Sequence, residues 1–236
     1  MRKYLFCLFI VLVQNINISG QSNEGTQFAF AFMEHRNRDH ERVAIITARN
    51  ATRGVVEVPG QGWSQTFEVA ANGFAQIDLP AFTETVGSEN IEDNGVFIQA
   101  EDTVSAYIHQ FFDQRSDASL LLPFESLGNA YYVMTFRGLS LVSNNWPSEF
   151  LVVAITDNTE IEITPAANTV GGQTAGDPFT ITLQRGQSYQ VQAALGIDDL
   201  TGSYLQGNKP FSLFAGAQWT NVPANCGERD NLMEQM

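Results

Sequence analysis

Past residue 25 the chain is written almost entirely in period two. Gly54 to Val58, Phe67 to Val69 and Ala75 to Leu79 alternate apolar and polar side chains, the pattern of strands with one wet face. Val43 to Ala48 and Phe150 to Ile155 are continuous apolar runs of the β type, read as buried strands. Turn residues separate the runs. Pro59-Gly60 closes one, and Asn72-Gly73 between two alternating segments predicts a hairpin. No window of about twelve residues carries an uninterrupted i, i+3, i+4, i+7 stripe. Composition agrees: 17 Phe, 6 Tyr and 3 Trp supply core material, and a charged fraction of 16% is too low for a disordered chain. A helical bundle would be rich in Ala, Glu, Lys and Leu instead. The fold class is all-β, with strand and turn spacing that suits a sandwich or barrel.

The second half repeats the first. Phe150 to Thr159 matches Val43 to Thr52, and Glu160 to Pro165 matches Val55 to Pro59. Phe179 to Val191, read as a hairpin around Gly186, matches Phe67 to Ile77; Gly202 to Phe214 matches Gly95 to Tyr107. The offset stays near about 107–113 residues, which predicts tandem duplicated β-sandwich-like units of about 100 residues each. The expected boundaries are a signal peptide at 1–20, a first unit at 21–118, a connecting segment at 119–149, and a second unit at 150–236 that is truncated at its C-terminus.

Export is read from the N-terminus. Arg2 and Lys3 precede an uncharged, mostly apolar run, Tyr4 to Val13, and small residues Ser19-Gly20 precede Gln21. That is the layout of a secretory signal peptide, and the apolar run falls short of the roughly 20 residues a membrane span needs. The mature chain is expected to be secreted or at the cell surface, and not membrane-spanning after cleavage. Cleavage takes the net charge from −14 to −16, because Arg2 and Lys3 leave and all the acids stay. So acidic a chain argues against nucleic acid as partner. It also leaves Cys226 as the only cysteine. In an oxidising compartment a lone cysteine is odd, so Cys226 is either a buried thiol or pairs beyond Met236.

Catalytic cues are missing. There is no Gly-x-Ser-x-Gly elbow, no Walker loop and no Gly-x-Gly-x-x-Gly after a strand. His35 and His40 are five positions apart without the zincin spacing, so they read as a solvated polar turn, and His109 as a strand-end residue. Glu160 and Glu162 alternate with isoleucines and belong on a wet face. No cofactor is implied. Glu89, Glu92, Asp93 and Asp198-Asp199 offer oxygen ligands that would suit Ca²⁺, but none has the EF-hand spacing. Asn50-Ala51-Thr52 is a formal glycosylation sequon at a turn. Trp63, Trp146 and Trp219 stand in turn-rich stretches and are the candidate ligand-binding residues, the alternative being that they cap the open ends of the sandwich.

Several short motifs carry a resemblance. Gly25 to Phe32, Ile46-Thr-Ala48, Leu79-Pro80, Leu122-Pro123, Tyr131-Tyr-Val133, Phe214-Ala-Gly216, and Cys226 with Glu234-Gln235 look like the N-terminal domain family of IgG Fc-binding protein, over about residues 25–236. The resemblance implies a domain at the front of long extracellular proteins, with no catalytic residues to transfer. It also implies a cysteine just after the strand Phe211 to Gly216; here Gln218-Trp219 stands instead, which leaves Cys226 without that partner.

The reading is a non-catalytic binding or adhesion module that contacts an extracellular protein or glycoconjugate through inter-strand loops. Pro59 to Trp63 with Gly87 to Asn94, and Asn168 to Pro178 with Trp219, are the expected contact loops. The alternatives are a structural spacer of a longer surface protein and a carbohydrate-active enzyme, which needs two facing carboxylates in one cleft.

Overall fold

The computed structural model of the chain describes residues 22–141 and 144–236. The expected signal peptide and Cys7 lie outside the described residues. Among the described residues there is no α-helix, only strands and short 3-10 turns, so the alternation was decisive for fold class. No described helix is long and apolar enough to cross a membrane.

In the first half, β1 (Gly25–Phe30), β2 (Glu41–Ala48), β3 (Thr52–Val58), β4 (Trp63–Val69) and β5 (Gly73–Asp78) precede β6 (Ile91–Glu92), β7 (Val96–Phe112) and β8 (Arg115–Leu120). The long β7 serves different partners along its length. Its first part pairs with β3 and β1, its second with β2 and β8. With β4 on β3 and β5 on β2, the ladders run β4-β3-β7-β1 and β5-β2-β7-β8.

The second half holds β9 (Ala130–Tyr132), the small pair β10 (Leu139–Leu141) and β11 (Asn144–Trp146), then β12 (Ser148–Ala154), β13 (Thr159–Thr164), β14 (Phe179–Leu183), β15 (Ser188–Gln192), β16 (Tyr204–Gly207), β17 (Phe211–Thr220) and β18 (Asp230–Gln235). Its sheets run β14-β13-β16-β9 and β18-β17-β12-β15-β6. Here β16 and β17 take the places held by the two parts of β7. Pro210 stands between them and has no N–H to give a ladder.

Two expected hairpins are a correction. The chain does reverse at Asn72-Gly73, where Asn72 has φ 58° and the Gly73 amide donates to the Ala70 carbonyl at 2.9 Å. Yet β4 pairs with β3 and β5 with β2, so the turn passes the chain from one ladder to another. The same holds at Gly186, between β14 and β15. A turn dipeptide sets a local reversal. Which strands then pair depends on where their apolar sides go, and Phe67, Val69 and Ile77 enter the same core from different ladders.

That core extends across both halves. Leu151, Val153, Ile155, Phe214 and Met233 belong to the cluster of Phe28, Phe30, Ile46, Val56 and Ile108, whereas Phe150, Val152, Ala154 and Leu213 belong to a second cluster with Ile161, Ile163 and Leu205. Strand β12 therefore sends alternate side chains into two cores, and all its residues are buried. This is why it reads as a continuous apolar run rather than an alternating one. The segment Gly87 to Asn94, expected as a free contact loop, is instead tied to the second half: β6 pairs with β15, and the Glu89 and Gly95 amides donate to the Gln190 and Gly186 carbonyls.

Candidate functional site

Strand β17 ends beside β18 with a register shift between Ala217 and Thr220, an irregularity of the kind that re-aims side chains. Gly216 permits the approach, since a Cβ there would lie 1.8 Å from the Leu232 carbonyl oxygen. Trp219 sits within this irregular stretch and is 6% exposed. Trp146, at the end of β11, meets it edge to face, with ring centroids 4.6 Å apart. The structure thus brings together two of the expected tryptophans. The third does not join them: Trp63 opens β4, pairs with Val58 and packs against the first core.

Three arginines converge on the same indole. The Arg36 guanidinium, from the segment between β1 and β2, lies 3.7 Å from the Trp219 ring centroid and 4.9 Å from that of Trp146. Arg229, just before β18, lies 5.0 Å from the Trp219 ring, and Arg115, at the tip of the β7–β8 hairpin, 5.7 Å. Cation–π attraction holds cations over an indole face. It works here against repulsion: burial, then Arg115 and Arg229, lower the pKa of Arg36. None of the three makes an ion pair among the described residues, although Arg115 lies near enough to Asp230 to favour its charged form.

Two buried polar atoms at this corner, Arg115 Nε and Trp219 Nε1, have no hydrogen-bond partner. Proteins leave few buried polar groups unpaired, so such a pair marks the place out. A cleft of about 150 Å³ lies beside these two residues, lined by Gln114, Arg115, Trp219, Gly227, Glu228 and Arg229. A neighbouring cleft of about 310 Å³ includes Cys226, Val222 and Asp230. Larger grooves of about 640 and 590 Å³ run along the first half, but no unpartnered buried atom lines either. Cys226 is half-buried and has no disulfide partner among the described residues.

The histidine turn is a second correction. His35 is 1% exposed and His40 4%, so neither is solvated. They join a buried polar network. The His35 amide donates to Glu84 Oε1 at 2.8 Å, Arg42 pairs with Glu84 at 3.6 Å, and Gln192 Nε2 donates to both Glu34 and Glu149. Burial pushes the Glu84 carboxyl up to about 7, and burial with the nearby Glu34 raises Glu149 well above the carboxylate range. Burial with Arg42 lowers His40 to about 3. These carboxylates line none of the clefts described above.

The acidic loops that offered oxygen ligands are used internally. Glu89 accepts from Ser88 and Thr169, Glu92 from the Val86 amide and Asn94, Asp93 from Gln187, and Asp199 from Thr135 and Thr201. Among the described residues no group of three or more His, Cys, Asp or Glu is placed to hold a metal. His109 lies in β7, stacked near Phe111.

Sequence reasoning missed the arginines. Arg36 lay in view between the two histidines, but Arg115 and Arg229 are far from it along the chain. The one available signal was scarcity: a chain with 12 Lys+Arg against 26 Asp+Glu has few cations to cluster.

The family model described as IgGFc binding protein matches residues 117–236. The human IgGFc-binding protein is 23% identical over 233 residues, covering 95% of this chain and 4% of that protein's length. No solved structure matches.

Proposed function

Because the chain belongs to the IgGFc-binding protein family, we propose that it is an exported, non-catalytic binding module that contacts extracellular proteins or glycoconjugates. Its contact surface is the corner where Trp146, Trp219, Arg36, Arg115 and Arg229 meet. The observation that carries this reading is that convergence, since tryptophan and arginine dominate the energetics of protein interfaces. Export rests on the basic start and short apolar run at residues 1–20. Immunoglobulin Fc, in the human relative's name, is one ligand to test, and a relative at 23% identity does not single it out.

The module is read as a tandem duplication with its joint in the segment 119–149. The ladders β4-β3-β7-β1 and β5-β2-β7-β8 have counterparts in β14-β13-β16-β9 and β15-β12-β17-β18, which supports the repeat read from the sequence.

The test is a binding screen of the purified protein against arrayed glycans, mucins, immunoglobulin Fc and other extracellular glycoproteins. Saturable binding that Trp146→Ala weakens at least tenfold, with thermal melting unchanged, supports the reading. A blank from cooperatively melting protein refutes it and favours a structural spacer.

A further inference from the structure

Resting on that reading, we infer that the corner around Trp219 is a receptor for a carboxylate, and that its ligand is an acidic side chain of a protein partner. Four observations converge. Arg36, Arg115 and Arg229 surround one indole, and none has an ion-pair partner among the described residues. Two N–H donors there, Arg115 Nε and Trp219 Nε1, lack an acceptor, and Trp219 is more than nine-tenths buried. The cleft they border holds about 150 Å³, room for the end of one acidic side chain and too little for an oligosaccharide. The whole chain carries −14, so an extended polyanion is repelled at long range while a single carboxylate is not excluded from a locally positive corner.

Guanidinium groups suit this chemistry. Their planar fork matches a carboxylate, and such charged hydrogen bonds are about twice as strong as neutral ones. An incoming carboxylate accepts from the unpartnered donors and relieves the repulsion among the three cations. Glu228 on the cleft rim and Asp230 behind it carry the opposite sign. They limit the corner to a ligand of low charge, and Asp230 is already engaged by the Ser116 and Asn231 amides.

The experiment titrates the full chain with an end-capped synthetic peptide of Gly and Ser that carries a single Glu, and with its single-Gln counterpart, read by tryptophan fluorescence. The Glu peptide is expected to saturate the signal, the Gln peptide to leave it flat, and added salt to weaken the response. Arg115→Gln is expected to reduce affinity by 10-fold or more, the loss typical of one charged hydrogen bond. Arg115→Lys, which keeps charge but not the fork, falls between. Arg53→Gln, at an exposed arginine elsewhere, leaves binding unchanged. Equal response to both peptides, equal loss with Arg53→Gln, or stronger binding of a sialylated glycan than of the Glu peptide each overturns the assignment. If a glycoprotein from the screen binds and loses affinity with Trp146→Ala but not with Arg115→Gln, the binding module stands and the carboxylate receptor falls.

Discussion

Leu151→Ala tests whether the two halves stand on one core. Leu151 lies on β12 of the second half, is fully buried, and packs in the cluster built mainly from β1, β2, β3 and β7 of the first. Removing three carbons at about 0.8 kcal/mol each forfeits about 2.4 kcal/mol of transfer energy. The cavity left behind raises the total to roughly 3–5 kcal/mol, because a site walled by two sheets collapses poorly. With a urea slope of about 3 kcal/mol/M, the unfolding midpoint falls by about 1–1.7 M. Urea unfolding gives the midpoint, and hydrogen exchange read by mass spectrometry gives its location. Peptides from β3 and β4 should lose protection together with those from β13 and β14. If only the second-half peptides become labile while β3 and β4 keep wild-type protection, the shared core is refuted. Phe74→Ala, at a side chain 69% exposed, serves as control and should change stability by less than about 0.5 kcal/mol.

Other consequences follow from single residues. His40, lowered from 6.5 to about 3, favours folding above pH 6.5 and withdraws that support as pH falls toward 3. His40→Gln should therefore gain on wild type by about 1.4 kcal/mol per pH unit below 6.5, checked by urea midpoints at pH 6.5 and 4.5. Glu84, raised from 4.5 to about 7, acts in the opposite sense: its contribution is full below pH 4.5 and is lost as pH rises through 7. Glu84→Gln should remove about 3 kcal/mol of that loss, so the variant's stability relative to wild type rises from pH 4.5 to pH 8 in the same assay. Gly54→Ala places a Cβ 2.1 Å from the Gln99 carbonyl oxygen and should cost roughly 1–3 kcal/mol, seen as a melting point lower by about 2–12 °C. Asn72→Val, at φ 58°, should cost about 1–2 kcal/mol, whereas Asn72→Gly stays near wild type in the same melt.

Legibility varied with how local each feature was. The strands were read correctly because alternation is a property of neighbours along the chain. Pairing was not: Asn72-Gly73 turns the chain as its chemistry demands, yet β4 and β5 join different ladders. The burial of His35 and His40 escaped notice because the Glu84 that accepts from the His35 amide comes from a segment some fifty positions away. Trp146 and Trp219 were singled out from the sequence for their residue type, and Trp63 with equal reason; only the first two meet.

The sequence by itself determined that this chain is all-β and that its excess acid leaves few cations to place. Those follow from side-chain period and composition, which no tertiary contact alters. The tertiary structure decided which strands share a ladder, that β12 feeds two cores at once, and that three scattered arginines surround one indole. Each of these depends on contacts between residues far apart in the chain, whose partners are set only when the apolar faces close over one another.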